Sequence, residues 1–168
     1  MKIIGIDPGY ERIGIAVLEK NRGDKKETLL YSTCFKTSAK LGLPERLFLL
    51  GSEIDSVIKK FSPSKLAIEK LYFENNQKTA MGVSEARGAI IFVAKSNNLE
   101  LLEYTPLQIK SAVTGYGKAT KDQVHTMVSK LITLPKEIKP ARTTRSGGQD
   151  DEIDAIAVAL TGFATTRL

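Results

Sequence analysis

With 168 residues, the chain is long enough for one domain with a hydrophobic core and too short for two of ordinary size. Hydrophobic residues make up 42% and charged residues 26%, as in soluble globular proteins, and no apolar run approaches the roughly 20 residues that cross a membrane. These values exclude a membrane-spanning protein, and the net charge of +6 favours a polyanionic partner such as nucleic acid.

The cysteine content predicts the compartment. Cys34 is the only cysteine, so an internal disulfide is excluded. The N-terminal residues read as a strand and not as a signal peptide. We therefore expect a reducing, cytoplasmic location.

The first 36 residues predict three strands joined by tight turns. The apolar run Lys2–Ile6 is typical of a buried strand, and Ile13–Val17 alternates apolar with small residues. A turn signal at residues 21–24 separates this second strand from the third, Thr28–Phe35. The three strands predict an antiparallel meander.

Beyond the meander, strands alternate with helices. Apolar residues recur at helical spacing in several segments, and proline or polar clusters separate them. The predicted elements are a helix over Pro44–Phe61, a strand over Lys65–Glu69, a helix over Thr79–Asn97, a strand over Leu99–Tyr104, and helices over Pro106–Val113, with Thr105 as its N-cap, Thr120–Ile132 and Asp150–Ala164. This order predicts an α/β fold with a mixed five-stranded sheet flanked by helices.

One segment stands apart in composition. Residues 135–149 contain two prolines, two glycines and four basic residues, with few apolar ones. We expect a mobile basic loop here, within a single domain that spans residues 1–168.

Carboxylates follow the two most apolar short strands. Asp7 ends the first strand, Glu69 ends the fourth, and Asp151 and Asp154 share one face of the last helix. Each has an ordinary alternative: Asp7 can begin a turn, Glu69 can reach water from a sheet edge, and acids at a helix start complement the helix dipole. Two central strands that both end in a carboxylate nevertheless favour convergence on one site.

Converging carboxylates predict a metal-dependent hydrolase. Crowded like charges are costly unless cations are bound, and oxygen ligands suit Mg²⁺ or Mn²⁺. Two such ions about 3.5–4 Å apart clamp the attacking and leaving oxygens of a phosphodiester. His125 is predicted on the surface and Cys34 in the core, which leaves a metal-activated water as the nucleophile.

Four motifs carry a resemblance along nearly the whole chain. They are, in order, IGIDPGYERIG, AIEKLYFENN, SEARGAI and DDEIDAIAVAL. Together they resemble the RuvC family of Holliday-junction endonucleases. The resemblance implies an RNase H-like fold and four acidic metal ligands, which fall on Asp7, Glu69, Asp151 and Asp154. Asp150 is then an extra acid, expected as the N-cap of the last helix.

The resemblance also implies residues that contact DNA. The family places an aromatic residue just after the glutamate, which matches Tyr72, with Phe73 beside it. Lys110 and Lys121 match basic family positions, and Lys118 is a plausible companion. The alternatives are an aromatic residue of the core and lysines that are only solvated.

Partners follow from the same resemblance. Family members act as homodimers on a two-fold symmetric four-way junction, and the RuvA–RuvB branch-migration complex is implied as a further partner. The helix that starts at Thr79 contains Gly82 and Gly88, which suit close helix approach in a dimer but equally suit packing on the sheet.

The expected function is therefore a metal-dependent endonuclease that resolves Holliday junctions and leaves 5′-phosphate ends. Two Mg²⁺ ions per site are implied, with Mn²⁺ as a substitute. The alternatives are a junction-binding protein without cleavage, another RNase H-like nuclease, or an actin-like nucleotide-binding module. The last normally needs two such halves, and 168 residues hold only one.

Overall fold

The computed structural model describes residues 1–9, 11–71, 77–132 and 148–166, without the side chains of residues 77–79 and 149. The strands are β1 (Lys2–Asp7), β2 (Arg12–Glu19), β3 (Thr28–Lys36), β4 (Lys65–Glu69) and β5 (Glu100–Tyr104). The helices are α1 (Leu43–Phe61), α2 (Gln77–Ser96), α3 (Pro106–Thr114), α4 (Lys121–Leu131) and α5 (Gln149–Thr165).

The strands form one mixed sheet in the order β3-β2-β1-β4-β5. The β1–β2 and β2–β3 pairs are antiparallel, whereas β1–β4 and β4–β5 are parallel. The predicted meander and mixed five-stranded sheet are confirmed. β1 and β4 lie inside the sheet, as their continuous apolar sequences indicated, because both of their faces are covered.

Helices cover both faces of the sheet. On one face α1 and α2 pack over Ile4 and Ile6, and on the other face α3, α4 and α5 pack over Ile3 and Ala67. The alternation along β1 explains this division, since successive side chains of a strand point to opposite faces. The central strand is therefore buried on both sides.

Helix α5 lies unusually close to β1. A Cβ atom at Gly5 would overlap the carbonyl oxygen of Ala155 and lie 2.6 Å from the amide nitrogen of Ala159. Only glycine leaves this space empty, so the sheet and the helix backbone come into direct contact. The small residues Ala155 and Ala159 allow the same approach from the helix side.

The N-terminus of α5 differs from the prediction by one residue. Helix α5 begins at Gln149 with Gly148 as its N-cap, so the prediction of Asp150 as the N-cap is wrong. Asp150 lies inside the first turn instead. Of the predicted basic loop, residues 135–147 lie outside the described residues. Within the described part, no helix is both long and apolar enough to cross a membrane.

Candidate active site

Asp7 and Glu69 leave the sheet side by side. β1 and β4 are parallel neighbours with Ile6 opposite Ile68, so the next residue of each strand emerges at the same edge. Asp7 follows Gly5 by two positions, and Glu69 follows Ala67 by two, so both side chains belong to the face covered by α5. The sheet register thus explains why these two carboxylates meet.

Helix α5 brings its first turn to the same edge. Gly14 of β2 pairs with Asp7, and a Cβ atom at Gly14 would overlap the carbonyl oxygen of Asp151. Because Gly14 has no side chain, the start of α5 lies directly above Asp7. This close approach places Asp151 and Asp154 beside the end of β1.

The electrostatics of Asp7 indicate that the four predicted carboxylates come together. Burial raises the pKa of Asp7 well above its usual value, and the negative charges of Asp154, Glu69 and Asp151 raise it further. Lys121 opposes them weakly. The chain therefore concentrates like charge at a desolvated point, which is the arrangement that a bound cation stabilises.

Glu69 and Asp154 respond in opposite directions. Burial and the charge of Asp154 raise the pKa of Glu69 to about 7, with Lys110 opposing. Burial also raises the pKa of Asp154, but hydrogen bonds from His125 and Lys121 outweigh it, so the pKa of Asp154 lies below its usual value. The contacts with His125 and Lys121 therefore favour the ionised form of Asp154.

Two side chains of α4, Lys121 and His125, contact the carboxylate of Asp154. Lys121 Nζ lies 2.9 Å from Asp154 Oδ2 and 3.6 Å from Asp150 Oδ2. His125 Nε2 lies 3.0 Å from Asp154 Oδ1. The start of α4 is set by a capping box between Thr120 and Gln123, which orients this face of the helix toward α5.

The prediction of His125 on the surface is wrong, because its side chain is only 4% exposed. Val124 and Val128 are buried on the same side of α4. His125 lies one residue after Val124 and three before Val128, which places it on the inward face of the helix. This spacing is the signal that could have identified His125 as buried.

Asp151 is held from the other side by the meander. Arg12 Nε and Cys34 Sγ lie 3.2 Å from Asp151 Oδ2. The prediction of Cys34 as a core residue is wrong, since it is only partly buried and donates its thiol hydrogen to the carboxylate. Burial and Asp151 raise the pKa of this thiol to about 11, which keeps it protonated. Arg12 lies within the first motif of the resemblance, but neither it nor Cys34 was predicted as a neighbour of the site.

The remaining acids of the DDEID segment have separate surroundings. Glu152 accepts a hydrogen bond of 2.7 Å from Ser32 Oγ on β3, whereas the carboxylates with the largest effect on Asp7 are Asp154, Glu69 and Asp151. Asp150 faces Lys121 and lies 3.9 Å from His125 Nδ1. The structure therefore distinguishes acids that the sequence alone does not.

A groove of about 260 Å³ opens beside the carboxylates. Glu69, Asp154, Lys110 and Lys121 contribute its charged lining, and apolar residues of α3, α4 and α5 complete it. Two of the predicted DNA-contacting lysines thus border the acidic cluster. Lys118 is exposed in the loop between α3 and α4 and does not line this groove. The predicted aromatic contacts, residues 72 and 73, lie outside the described residues.

The donor set suits a hard divalent cation. Asp7, Glu69, Asp151 and Asp154 offer only carboxylate oxygens, the ligands preferred by Mg²⁺ and Mn²⁺. Among the described residues, however, no three His, Cys, Asp or Glu side chains are arranged as a ready ligand shell. Asp151 instead pairs with Arg12, and Asp154 pairs with Lys121. A metal ion that binds here would have to replace part of these contacts.

Comparisons with known proteins match nearly the whole chain to one family. The family model of the crossover junction endodeoxyribonuclease RuvC matches residues 3–162. The protein of that name from Caldicellulosiruptor saccharolyticus is 41% identical over 160 residues, which cover 95% of this chain and 90% of the relative. Such identity over nearly the whole of both chains is well beyond a shared motif.

Solved structures give the same result. The Thermus thermophilus RuvC structure superposes with a TM-score of 0.83 and 30% identity, covering 98% of this chain and 94% of its own. Thermus thermophilus RuvC in complex with a Holliday junction substrate gives a TM-score of 0.82 at 30% identity, over 96% and 92% of the two chains. These matches confirm the RNase H-like fold, and the chain belongs to the RuvC family of crossover junction endodeoxyribonucleases.

Proposed function

We propose that this protein is a nuclease that resolves four-way Holliday junctions in DNA recombination and repair by hydrolysing phosphodiester bonds. The observation that carries the proposal is the meeting of Asp7, Glu69, Asp151 and Asp154 at the end of the central strand, next to a groove lined by lysines. A protein that only bound junctions would gain nothing from carboxylates that repel phosphate at this point.

The four carboxylates would hold the divalent ions, for which we propose two Mg²⁺ per site with Mn²⁺ as a substitute. When bound, such ions lower the pKa of water and stabilise charge on the phosphate. The chain supplies the rest: burial keeps the site poor in water, and Lys110 and Lys121 attract the phosphate backbone into the groove. Hydrolysis is proposed to leave 5′-phosphate and 3′-hydroxyl ends.

Further DNA contacts belong to the same proposal. Tyr72 and Phe73 follow Glu69 closely in sequence, and aromatic stacking on an unpaired base is worth about 1–3 kcal/mol. Lys118 is exposed between α3 and α4, where it can reach backbone phosphates that run past Lys121. These residues would help to hold the junction open at its centre.

We further propose that the chain acts as a single nuclease domain over residues 1–168 and as a homodimer in the cytoplasm. In the described part of the chain, one side of α2 is exposed and has Met81, Glu85, Gly88 and Phe92 in one stripe. In this proposal a second copy of the chain packs against the stripe. The two active sites of the dimer are then related by a two-fold axis, which matches the symmetry of the junction. Branch-migration proteins of the RuvA–RuvB type are the proposed further partners.

The test is a cleavage assay on a synthetic four-way DNA junction, with a linear duplex and an RNA–DNA hybrid as comparison substrates. We expect paired symmetric nicks in the junction with Mg²⁺ and none with a chelator. Tight junction binding without nicks under Mg²⁺ or Mn²⁺ would favour the non-catalytic binder. Cleavage of the hybrid would favour a different RNase H-like nuclease.

A further inference from the structure

His125 is a buried polar residue for which the proposed chemistry gives no role. Its side chain is 4% exposed on a helix face that otherwise buries valines, among them Val124 and Val128. An apolar residue would fill this position without losing hydration, since burying a polar group is costly unless it is hydrogen-bonded. The ring offsets that cost through one contact, with Asp154.

The geometry of this contact defines which atom donates. Nε2 lies 3.0 Å from Asp154 Oδ1, and an ionised carboxylate can only accept. Nε2–H is therefore the donor. The other ring nitrogen, Nδ1, lies 3.9 Å from Asp150 Oδ1, which is beyond hydrogen-bond distance.

The two oxygens of Asp154 are held by groups of different mobility. Oδ1 accepts from the buried imidazole, which has only two side-chain torsions. Oδ2 contacts Lys121 Nζ at 2.9 Å, and the side chain of that lysine is 53% exposed. The lysine can move aside at low cost, whereas the ring cannot. Oδ2 is thus the oxygen that Asp154 can offer to another cation.

We infer that His125 is a positioning residue that holds Asp154 through Oδ1 and so presents Oδ2 to a divalent cation. The inference rests on the proposed function for the identity of Asp154 as a ligand. Groups that orient a metal ligand commonly contribute about 10- to 100-fold to metal affinity. The chemical class of the cation is a hard divalent ion, as the carboxylate donors require.

The experiment compares His125→Leu with His125→Gln in the full-length protein. Leu removes the donor, whereas the Gln amide nitrogen can take the place of Nε2. The first readout is Mn²⁺ binding without DNA, measured from the electron paramagnetic resonance signal of free Mn²⁺. The second readout is the Mn²⁺ dependence of junction cleavage.

We expect His125→Leu to raise the Mn²⁺ dissociation constant by about tenfold or more, and His125→Gln to restore most of the affinity. Val128→Ala is the control, because Val128 is buried on α4 without contacting Asp154 through a hydrogen bond. This control should lower the melting temperature and leave Mn²⁺ affinity unchanged.

Unchanged Mn²⁺ affinity in His125→Leu would overturn the inference, and so would a Gln variant no better than Leu. If the Leu variant does not fold, His125→Asn replaces it, since the shorter amide cannot reach the Nε2 position; equal affinity in Asn and Gln variants would then overturn the inference. A wild-type protein that binds Mn²⁺ but cuts no junction would refute the proposed function alone, because the Mn²⁺ comparison needs no DNA.

Discussion

Asp7 ends the central strand with three other carboxylates around it. Its pKa is raised by burial first and then by the charges of Asp154, Glu69 and Asp151. Such a residue destabilises the fold that carries it unless a cation is bound, because like charges repel strongly where water is excluded. The proposed role of Asp7 as a metal ligand accounts for a buried carboxylate at this position.

Asp7→Asn should therefore abolish junction cleavage and preserve junction binding. The amide has the same shape as the carboxyl but lacks the charge that attracts a divalent ion. Cleavage of a labelled junction and an electrophoretic binding assay measure the two properties on one preparation. Retained cleavage in this variant would contradict the assignment of Asp7.

Glu152→Gln is the matched control for the acidic cluster. Its carboxyl accepts a hydrogen bond from Ser32 Oγ, and the carboxylates with the largest effect on Asp7 are Asp154, Glu69 and Asp151. Because a glutamine oxygen can accept the same hydrogen bond, this variant should cut junctions as the wild type does.

Glu69 predicts a pH effect in the absence of metal. Its pKa is raised from 4.5 in an unperturbed glutamate to about 7 by burial and by Asp154. The folded state then binds the proton more tightly than the unfolded state. The resulting stability is present below about pH 4.5 and is lost as the pH rises through about 7.

In EDTA, Glu69→Gln should melt at a higher temperature than the wild type, by an amount that grows between about pH 5 and about pH 8. Each kcal/mol gained in the free energy of unfolding raises the melting temperature by about 2–4 °C in a chain of this size. Thermal melts by circular dichroism measure the difference, and Glu45→Gln, on the exposed first turn of α1, should follow the wild type. A difference that shrinks with pH would contradict the raised pKa.

Single residues of the site differed in how far the sequence identified them. Asp7 and Glu69 were predicted as a pair, because two central strands that both end in a carboxylate favour one site, although each carboxylate alone has an ordinary structural alternative. His125 was not, since its role depends on the rotation of α4 against α5, which periodicity indicates only through the flanking valines. Arg12 and Cys34 lie on different strands and meet Asp151 only through tertiary packing.

At the scale of the elements, α5 is the part that assembles the site. It packs across β1 and β2, and its first turn carries Asp151 to the strand end. The sequence predicted the helix to within one residue because its small apolar residues have helical periodicity. How closely α5 would approach the sheet was not predictable, because that distance depends on Gly5 of β1 and Gly14 of β2, which face the helix.

Gly14→Ala should destabilise the protein and lower its cleavage rate together. The added methyl group would overlap the backbone oxygen of Asp151, which cannot move without displacing the start of α5. Overpacking of this kind costs about 1–3 kcal/mol. Melting temperature in EDTA and single-turnover cleavage measure the two effects.

Gly51→Ala provides the control for that substitution. A methyl group at Gly51, in the middle of α1, would lie 3.5 Å from Val93 Cγ2, which is an ordinary contact. Replacing a helical glycine by alanine should raise stability by up to about 1 kcal/mol. If Gly14→Ala melted at the same temperature as the wild type, the contact between β2 and α5 would be looser than described.

For the whole molecule, the two helical layers differ in what they leave exposed. The layer of α3, α4 and α5 borders the acidic groove, whereas the most exposed large apolar side chains of the described residues, Phe48, Met81 and Phe92, belong to α1 and α2. Phe92 and Met81 of α2 are 73% and 72% exposed. A Cβ atom at Gly88, between them on the same stripe, would meet nothing within 4 Å. The sequence indicated Gly82 and Gly88 together, but Gly82 is buried within the chain and only Gly88 faces outward.

Phe92→Arg should convert the proposed homodimer into a monomer. A charged side chain within this helix–helix contact loses hydration, and two-fold symmetry places that cost in the interface twice. Light scattering coupled to size-exclusion chromatography measures the mass. Tyr116→Arg is the control, because Tyr116 is also an exposed aromatic residue but lies between α3 and α4, so that variant should remain dimeric. Paired nicking should also separate the two variants, since a monomer can cut only one strand in each binding event. A dimeric Phe92→Arg protein would move the interface away from α2 and leave the chemistry at Asp7 unaffected.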